Sequence, residues 1–112
     1  MARRGEVFVA RRRLGFGAEG KREHFVVLQS DLLADIETAI VAPLDDDAAM
    51  YESDPLAVHV SGKETGAKVA QVVLVHLLVA SSLEKFEPMP SGRLSAKSMR
   101  QVESLLRTVL QL

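Results

Sequence analysis

HFVVLQSDLLADIETAIVAPL, residues 24–44, decides the fold. It holds two short runs rich in β-branched residues, 24–29 and 38–44. Each is bounded by turn-forming residues, a pattern that predicts two buried strands. Residues 31–37 (DLLADIE), between them, have room for one helical turn at most. Upstream, residues 6–10 (EVFVA) alternate polar and apolar, the pattern of a half-buried strand. Residues 11–23 carry Gly15, Gly17 and Gly20 among charged residues and read as a long exposed loop.

Downstream, residues 45–55 are acidic, contain Pro55 and predict a surface connection. Residues 56–60 (LAVHV) read as a further strand, and SGKETG at 61–66 as a glycine-containing turn. The apolar run 69–79 is rich in valine and predicts one long central strand at the heart of the core. Pro88, Pro90 and Gly92 exclude a helix over 81–93, leaving a connection with one short strand near Phe86. Then the period changes. Met99, Val102, Leu105, Leu106, Val109 and Leu110 recur at helical spacing, with Ser95 placed to cap the first turn. An apolar helical stripe must pack on a sheet, so the expected fold is mostly β: a small twisted antiparallel sheet or barrel closed by a C-terminal amphipathic helix.

A chain of 112 residues is expected to form one domain. It is 47% hydrophobic against 26% charged, a globular balance. With no cysteine it has neither disulfides nor thiolate metal ligands, and the cytoplasm is the expected compartment. The basic N-terminus lacks the apolar stretch of a secretory signal. The longest apolar run is far short of the roughly 20 residues that span a bilayer, so no membrane association is expected. A net charge of −1 excludes a molecule-wide basic field, and any polyanion site must be local. The charges are sorted: Arg3, Arg4, Arg11, Arg12, Arg13, Lys21 and Arg22 precede Asp31, whereas Asp45, Asp46, Asp47, Glu52 and Asp54 cluster centrally. The plain alternative is two solvated loops of opposite sign.

His24, His59 and His76 are spread over three expected strands without ligand spacing, so no metal is expected; His59 and His76 read as core or interface histidines with satisfied ring nitrogens. Gly15, Gly17 and Gly20 are not followed by the Lys-Ser/Thr pair of a phosphate loop, and Ser30, Ser61, Ser81 and Ser82 lack a nucleophile motif. What remains is the basic loop ending at Lys21, Arg22, Glu23 and His24, where a guanidinium can hold a phosphate and a carboxylate or imidazole can move a proton.

The order RRGEVFVA (3–10), GAEGKREHFVVLQSD (17–31), TAIVAPL (38–44) and GRLSAKSMRQVESLLRTVLQL (92–112) resembles the MazF/PemK toxins over nearly the whole chain, Arg-Gly-Glu-Val being the strongest local match. FVVLQSDLL (25–33) is also similar to the corresponding strand of CcdB, a relative with the same SH3-like small barrel. The resemblance implies a cytoplasmic toxin of a type II toxin–antitoxin system, acting as a homodimer silenced by a cognate antitoxin. Its MazF side implies metal-independent, sequence-specific cleavage of single-stranded RNA through the ribose 2′-hydroxyl, with no cofactor. Its CcdB side implies a non-enzymatic inhibitor of DNA gyrase, although the C-terminus lacks the Trp-Gly-Ile ending of that relative. A degenerate toxin that only binds its antitoxin is the third reading.

Active MazF proteins carry Arg-Pro just before the second strand and Ser or Thr just after the third. Counting from Gln29-Ser30-Asp31, those positions hold Glu23, His24 and Asp45 here, with Arg22 one residue from the expected arginine. On this reading Arg22, helped by Lys21, stabilises the charged phosphorane, and Glu23, His24 or Asp45 is the general base. Arg11, Arg12 and Arg13 contact flanking phosphates of the RNA.

Overall fold

The computed structural model describes residues 2–16 and 21–112; Gly17 and Gly20 of the expected glycine-rich loop lie outside them. Strands β1 (Glu6–Val9), β2 (His24–Val27) and β3 (Thr38–Asp45) form an antiparallel meander, with Val7 opposite Val26 and Val26 opposite Ala42. A 3-10 turn at Asp31–Leu33, capped by the Ser30 side chain, is the helical turn expected between β2 and β3. Another, Ala48–Tyr51, lies in the acidic connection to β4 (Ala57–Val60).

The apolar run 69–79 is not one strand. It divides into β5 (Gln71–Leu74), a 3-10 turn at Val75–Leu77 and β6 (Val79–Ser82). Both strands pair with β3: Val73 faces Leu44 and Val79 faces Val41. Residues 74–78 therefore stand opposite only Ala42 and Pro43, and the surplus forms the 3-10 turn. Pro43 has no N–H for a ladder, so β3 tolerates a neighbour that leaves at that point. His76 lies in the turn and is exposed, as is His59, so neither is a core histidine; His59 Nε2 is 3.2 Å from the Tyr51 carbonyl.

SGKETG is likewise more than a turn. It holds the one-turn helix α1 (Gly62–Thr65), closed by a capping box in which Ser61 and Glu64 satisfy each other's backbone amides. Gly66 ends α1 at φ +82°, and a Cβ there would lie 2.2 Å from the Ser91 carbonyl oxygen, so only glycine fits. The connection after β6 makes a single bridge, Phe86 to Ala10, and a two-residue strand β7 (Gly92–Arg93) on β1. Helix α2 (Ala96–Leu110) follows, with Ser95 accepting from the Ser98 amide as expected.

The sheet runs β4-β5-β3-β2-β1-β7, with β6 beside β3, and curls into a half-barrel. Alternation sends Val7, Val26, Ala42, Leu44 and Val73 to one face, where Val102 and Met99 of α2 cover them. Phe8, Phe25, Val27 and Val41 go to the other, covered by Leu14, Phe16 and Phe86. Both faces are thus buried, which is why the central strands are apolar almost throughout. The Arg4 guanidinium bonds the Leu28 carbonyl and pairs with Glu103 at 3.1 Å, tying α2 to β1 and β2. Among the described residues no helix is long and apolar enough to cross a membrane.

Candidate RNA-binding site

The start of β2, the end of β3 and the start of β5 meet at one rim of the sheet, because the register sets His24 opposite Leu44 and Asp45 opposite Val72. A cleft of about 340 Å³ opens there, lined by Lys21, Arg22 and Glu23 from the loop entering β2 and by Leu44, Asp45, Asp46 and Asp47 from the end of β3. A second concavity of about 270 Å³ shares Lys21, Arg22 and Glu23 and continues along Ala10, Arg11, Arg12 and Arg13. Arg11, Arg12, Arg13, Lys21 and Arg22 therefore line two adjoining concavities, which together form a groove, whereas Arg4 is committed to Leu28 and Glu103.

Within it the side chains differ sharply. Arg22 is exposed; its backbone bonds His24 and its charge is felt at that ring, while its guanidinium makes no hydrogen bond or ion pair with the described residues. Lys21 is exposed, its Nζ 4.0 Å from Asp46 Oδ2. Arg11 is partly committed, donating from Nε to the Phe86 carbonyl at 2.8 Å. Glu23 is 5% exposed, and its two carboxylate oxygens accept the backbone amides of Leu14 and Phe16. Each carboxylate oxygen is thus committed to a backbone amide of the loop, while the residue still lines the cleft. It buttresses the loop that carries the arginines.

His24 is 9% exposed, and burial pushes its pKa down against the opposing pull of the Asp46 charge, so the ring is neutral at pH 7. Its Nδ1 lies 3.4 Å from Gln71 Nε2. Asp45 shapes the acidic lip, Oδ1 accepting from the Asp47 amide at 2.9 Å and Oδ2 from the Tyr51 hydroxyl at 3.3 Å. Burial and the Asp45 charge together push the Tyr51 pKa up and keep that hydroxyl a donor.

Two residues not singled out in the sequence complete the site. Gln71 is fully buried and donates from Nε2 to Asp46 Oδ1 at 2.6 Å, while its own Oε1 has no partner among the described residues. Asp46 in turn presents Oδ2 to the cleft beside Lys21. The signal for Gln71 was in the sequence as a lone amide opening an apolar strand; for Asp46, nothing distinguished it from its neighbours. Among the described residues no group of three or more histidine or acidic side chains is placed to hold a metal ion.

Residues 3–110 match the family described as PemK-like, MazF-like toxins of type II toxin–antitoxin systems. No curated protein sequence matches the chain. Among solved structures, the chain is similar to the Mycobacterium tuberculosis toxin MazF-mt6, with a TM-score of 0.75 at 14% identity over 96% of this chain and 97% of that one. It is similar also to an endoribonuclease in complex with its cognate antitoxin from Mycobacterial species (TM-score 0.74, 14% identity, 98% and 93% covered). A third likeness is to MazE–MazF of Deinococcus radiodurans (TM-score 0.72, 18% identity, 98% and 96% covered). At these identities the structures establish a shared fold.

Proposed function

Because the chain belongs to the PemK-like, MazF-like toxin family of type II toxin–antitoxin systems, we propose that it is a cytoplasmic endoribonuclease that cuts single-stranded RNA without a metal ion. The observation that carries this reading is the groove itself, in which an uncommitted guanidinium, Arg22, stands beside Lys21 and in line with Arg11, Arg12 and Arg13. Arg22 and Lys21 neutralise the charge that builds on phosphorus as a ribose 2′-hydroxyl attacks, and the three arginines hold the neighbouring phosphates. The base comes from the acidic lip across the cleft. The family match favours this reading over inhibition of gyrase.

A second copy and a cognate antitoxin are the partners proposed with it. Similar folds occur in an endoribonuclease bound to its antitoxin and in MazE–MazF. Leu32 is 93% exposed, Leu33 and Ile36 are exposed in the same connection before β3, and Ile40 and Val79 are exposed on the paired strands β3 and β6. Exposed apolar side chains of this kind are what a protein partner covers.

Purified protein incubated with long single-stranded RNA in EDTA is expected to yield fragments ending in a 2′,3′-cyclic phosphate. Arg22→Ala is expected to lower the rate by about 10²–10³, the usual effect of losing one group that stabilises developing charge. Uncut RNA, or an Arg22→Ala variant as active as the parent, would refute the assignment.

A further inference from the structure

We propose that Asp46 is the general base of the cleft and that the buried amide of Gln71 is the positioning residue that aims it. The inference rests on the nuclease reading above and deepens it. Three carboxylates form the acidic lip, and the structure distinguishes them. Asp45 spends one oxygen on the Asp47 amide and the other on the Tyr51 hydroxyl, so it folds the lip. Asp47 belongs to the same turn and precedes the 3-10 turn at Ala48–Tyr51. Asp46 differs, since only Oδ1 is engaged by a hydrogen bond and Oδ2 faces the cleft within 4.0 Å of the Lys21 ammonium. Its side chain is 28% exposed, open enough to meet a substrate and sheltered enough to hold one orientation.

Gln71 supplies that orientation. A carboxylate oxygen 2.6 Å away demands a donor, which fixes the amide with Nε2 toward Asp46 and His24 Nδ1. The amide is the group that reaches Asp46 from within the sheet, and a methionine of similar length would fill the same space without donating to the carboxylate. His24 accepts on Nδ1 and so carries its proton on Nε2, which leaves it as a neutral wall behind the relay.

In the cleavage step the 2′-hydroxyl proton passes to Asp46 Oδ2 as the 2′-oxygen bonds phosphorus. The P–O5′ bond then breaks, its electron pair stays on the 5′-oxygen, and that oxygen takes a proton from water. The products are a 2′,3′-cyclic phosphate and a 5′-hydroxyl, with Lys21 and Arg22 screening the phosphate from the Asp46 charge.

The test measures single-turnover cleavage of a defined single-stranded RNA by the whole chain at pH 7. Asp46→Asn is expected to lower the rate by about 10²–10⁴, whereas Asp46→Glu, which keeps a carboxylate, restores part of the lost rate. Gln71→Met is expected to lower kcat about tenfold with KM unchanged and thermal stability not reduced. Wild-type cleavage that depends on Arg22 but is untouched in rate by Asp46→Asn overturns this assignment alone. A Gln71→Met protein with full kcat overturns the positioning role, and a wild-type protein that leaves RNA intact overturns the nuclease reading and this inference together.

Discussion

Glu23 stands where the resemblance places an arginine, and its surroundings explain why an arginine would not serve there. The side chain points inward, bonded to the amides of Leu14 and Phe16, and Phe16 packs edge-on against Phe25 with ring centroids 5.6 Å apart. Sequence and packing thus agree on a carboxylate that ties the loop to the sheet, and the exposed Arg22 next to it is the cation of the proposed reading. Restoring the family residue should therefore do harm. Glu23→Arg strands two backbone amides and forces a guanidinium among Leu14, Phe16 and Phe25, so a loss of about 1–3 kcal/mol is expected from the unmatched donors alone. In a domain of this size that lowers the melting midpoint by roughly 5 °C or more. Differential scanning calorimetry checks the first part and RNA cleavage the second: the variant should melt earlier and cut no faster than wild type, and faster cutting would mean that position 23 faces the substrate after all.

At the scale of elements, α1 acts as a clasp between the sheet and α2. Glu64 Oε2 accepts the Ser61 amide at 3.1 Å, completing its own capping box. Its Oε1 crosses to α2, accepting the Ser98 hydroxyl at 2.7 Å and the Ser95 amide at 2.9 Å. Burial alone would push this carboxyl up, but the hydrogen bonds from Ser98, Ser95 and Ser61 outweigh it and hold the pKa at about 2, below the ordinary 4.5. A carboxylate depressed by folding stabilises the fold fully above pH 4.5, and that contribution is lost as the pH falls toward 2. Urea midpoints measured from pH 6 to pH 2.5 should show Glu64→Gln less stable than wild type at pH 6, with the gap narrowing below pH 4.5; a constant gap would show that the charge is not what the clasp uses. The S-x-x-E spacing of Ser61 and Glu64 was legible in the sequence, yet glycines at 62 and 66 made the stretch read as a turn. β1 and α2 were legible from their periods, and β2, β3 and β4 as short β-branched runs bounded by turn-forming residues. The break between β5 and β6 was not, since what accommodates it, Pro43, lies across the sheet and no local pattern in the valine run reports it. The same distance limit hid Asp46 and Gln71, which are 25 residues apart and meet only through the β3–β5 pairing.

For the whole molecule, the decisive fact is that a chain of net charge −1 gathers Arg11, Arg12, Arg13, Lys21 and Arg22 along one groove. The rest of the chain is then net acidic, so on the proposed reading a polyanion is drawn to that groove. Binding of single-stranded RNA should therefore be salt-dependent, with a slope set by the number of phosphates that the groove neutralises. For single strands each neutralised phosphate contributes about −0.7 to the slope of log K against log salt. Arg12 is exposed and lines the groove away from the cleft, so Arg12→Gln should flatten the slope by about 0.7 and weaken binding to all sequences alike. Lys97 is equally exposed on α2, which covers the opposite face of the sheet, and Lys97→Gln should leave the slope where it was. Fluorescence anisotropy with a short labelled RNA, titrated between 50 and 200 mM salt, about the range over which such contacts show, reads both. Equal slopes for wild type and Arg12→Gln would mean that RNA does not follow the arginine groove, and the path of the substrate would have to be sought over the acidic lip instead.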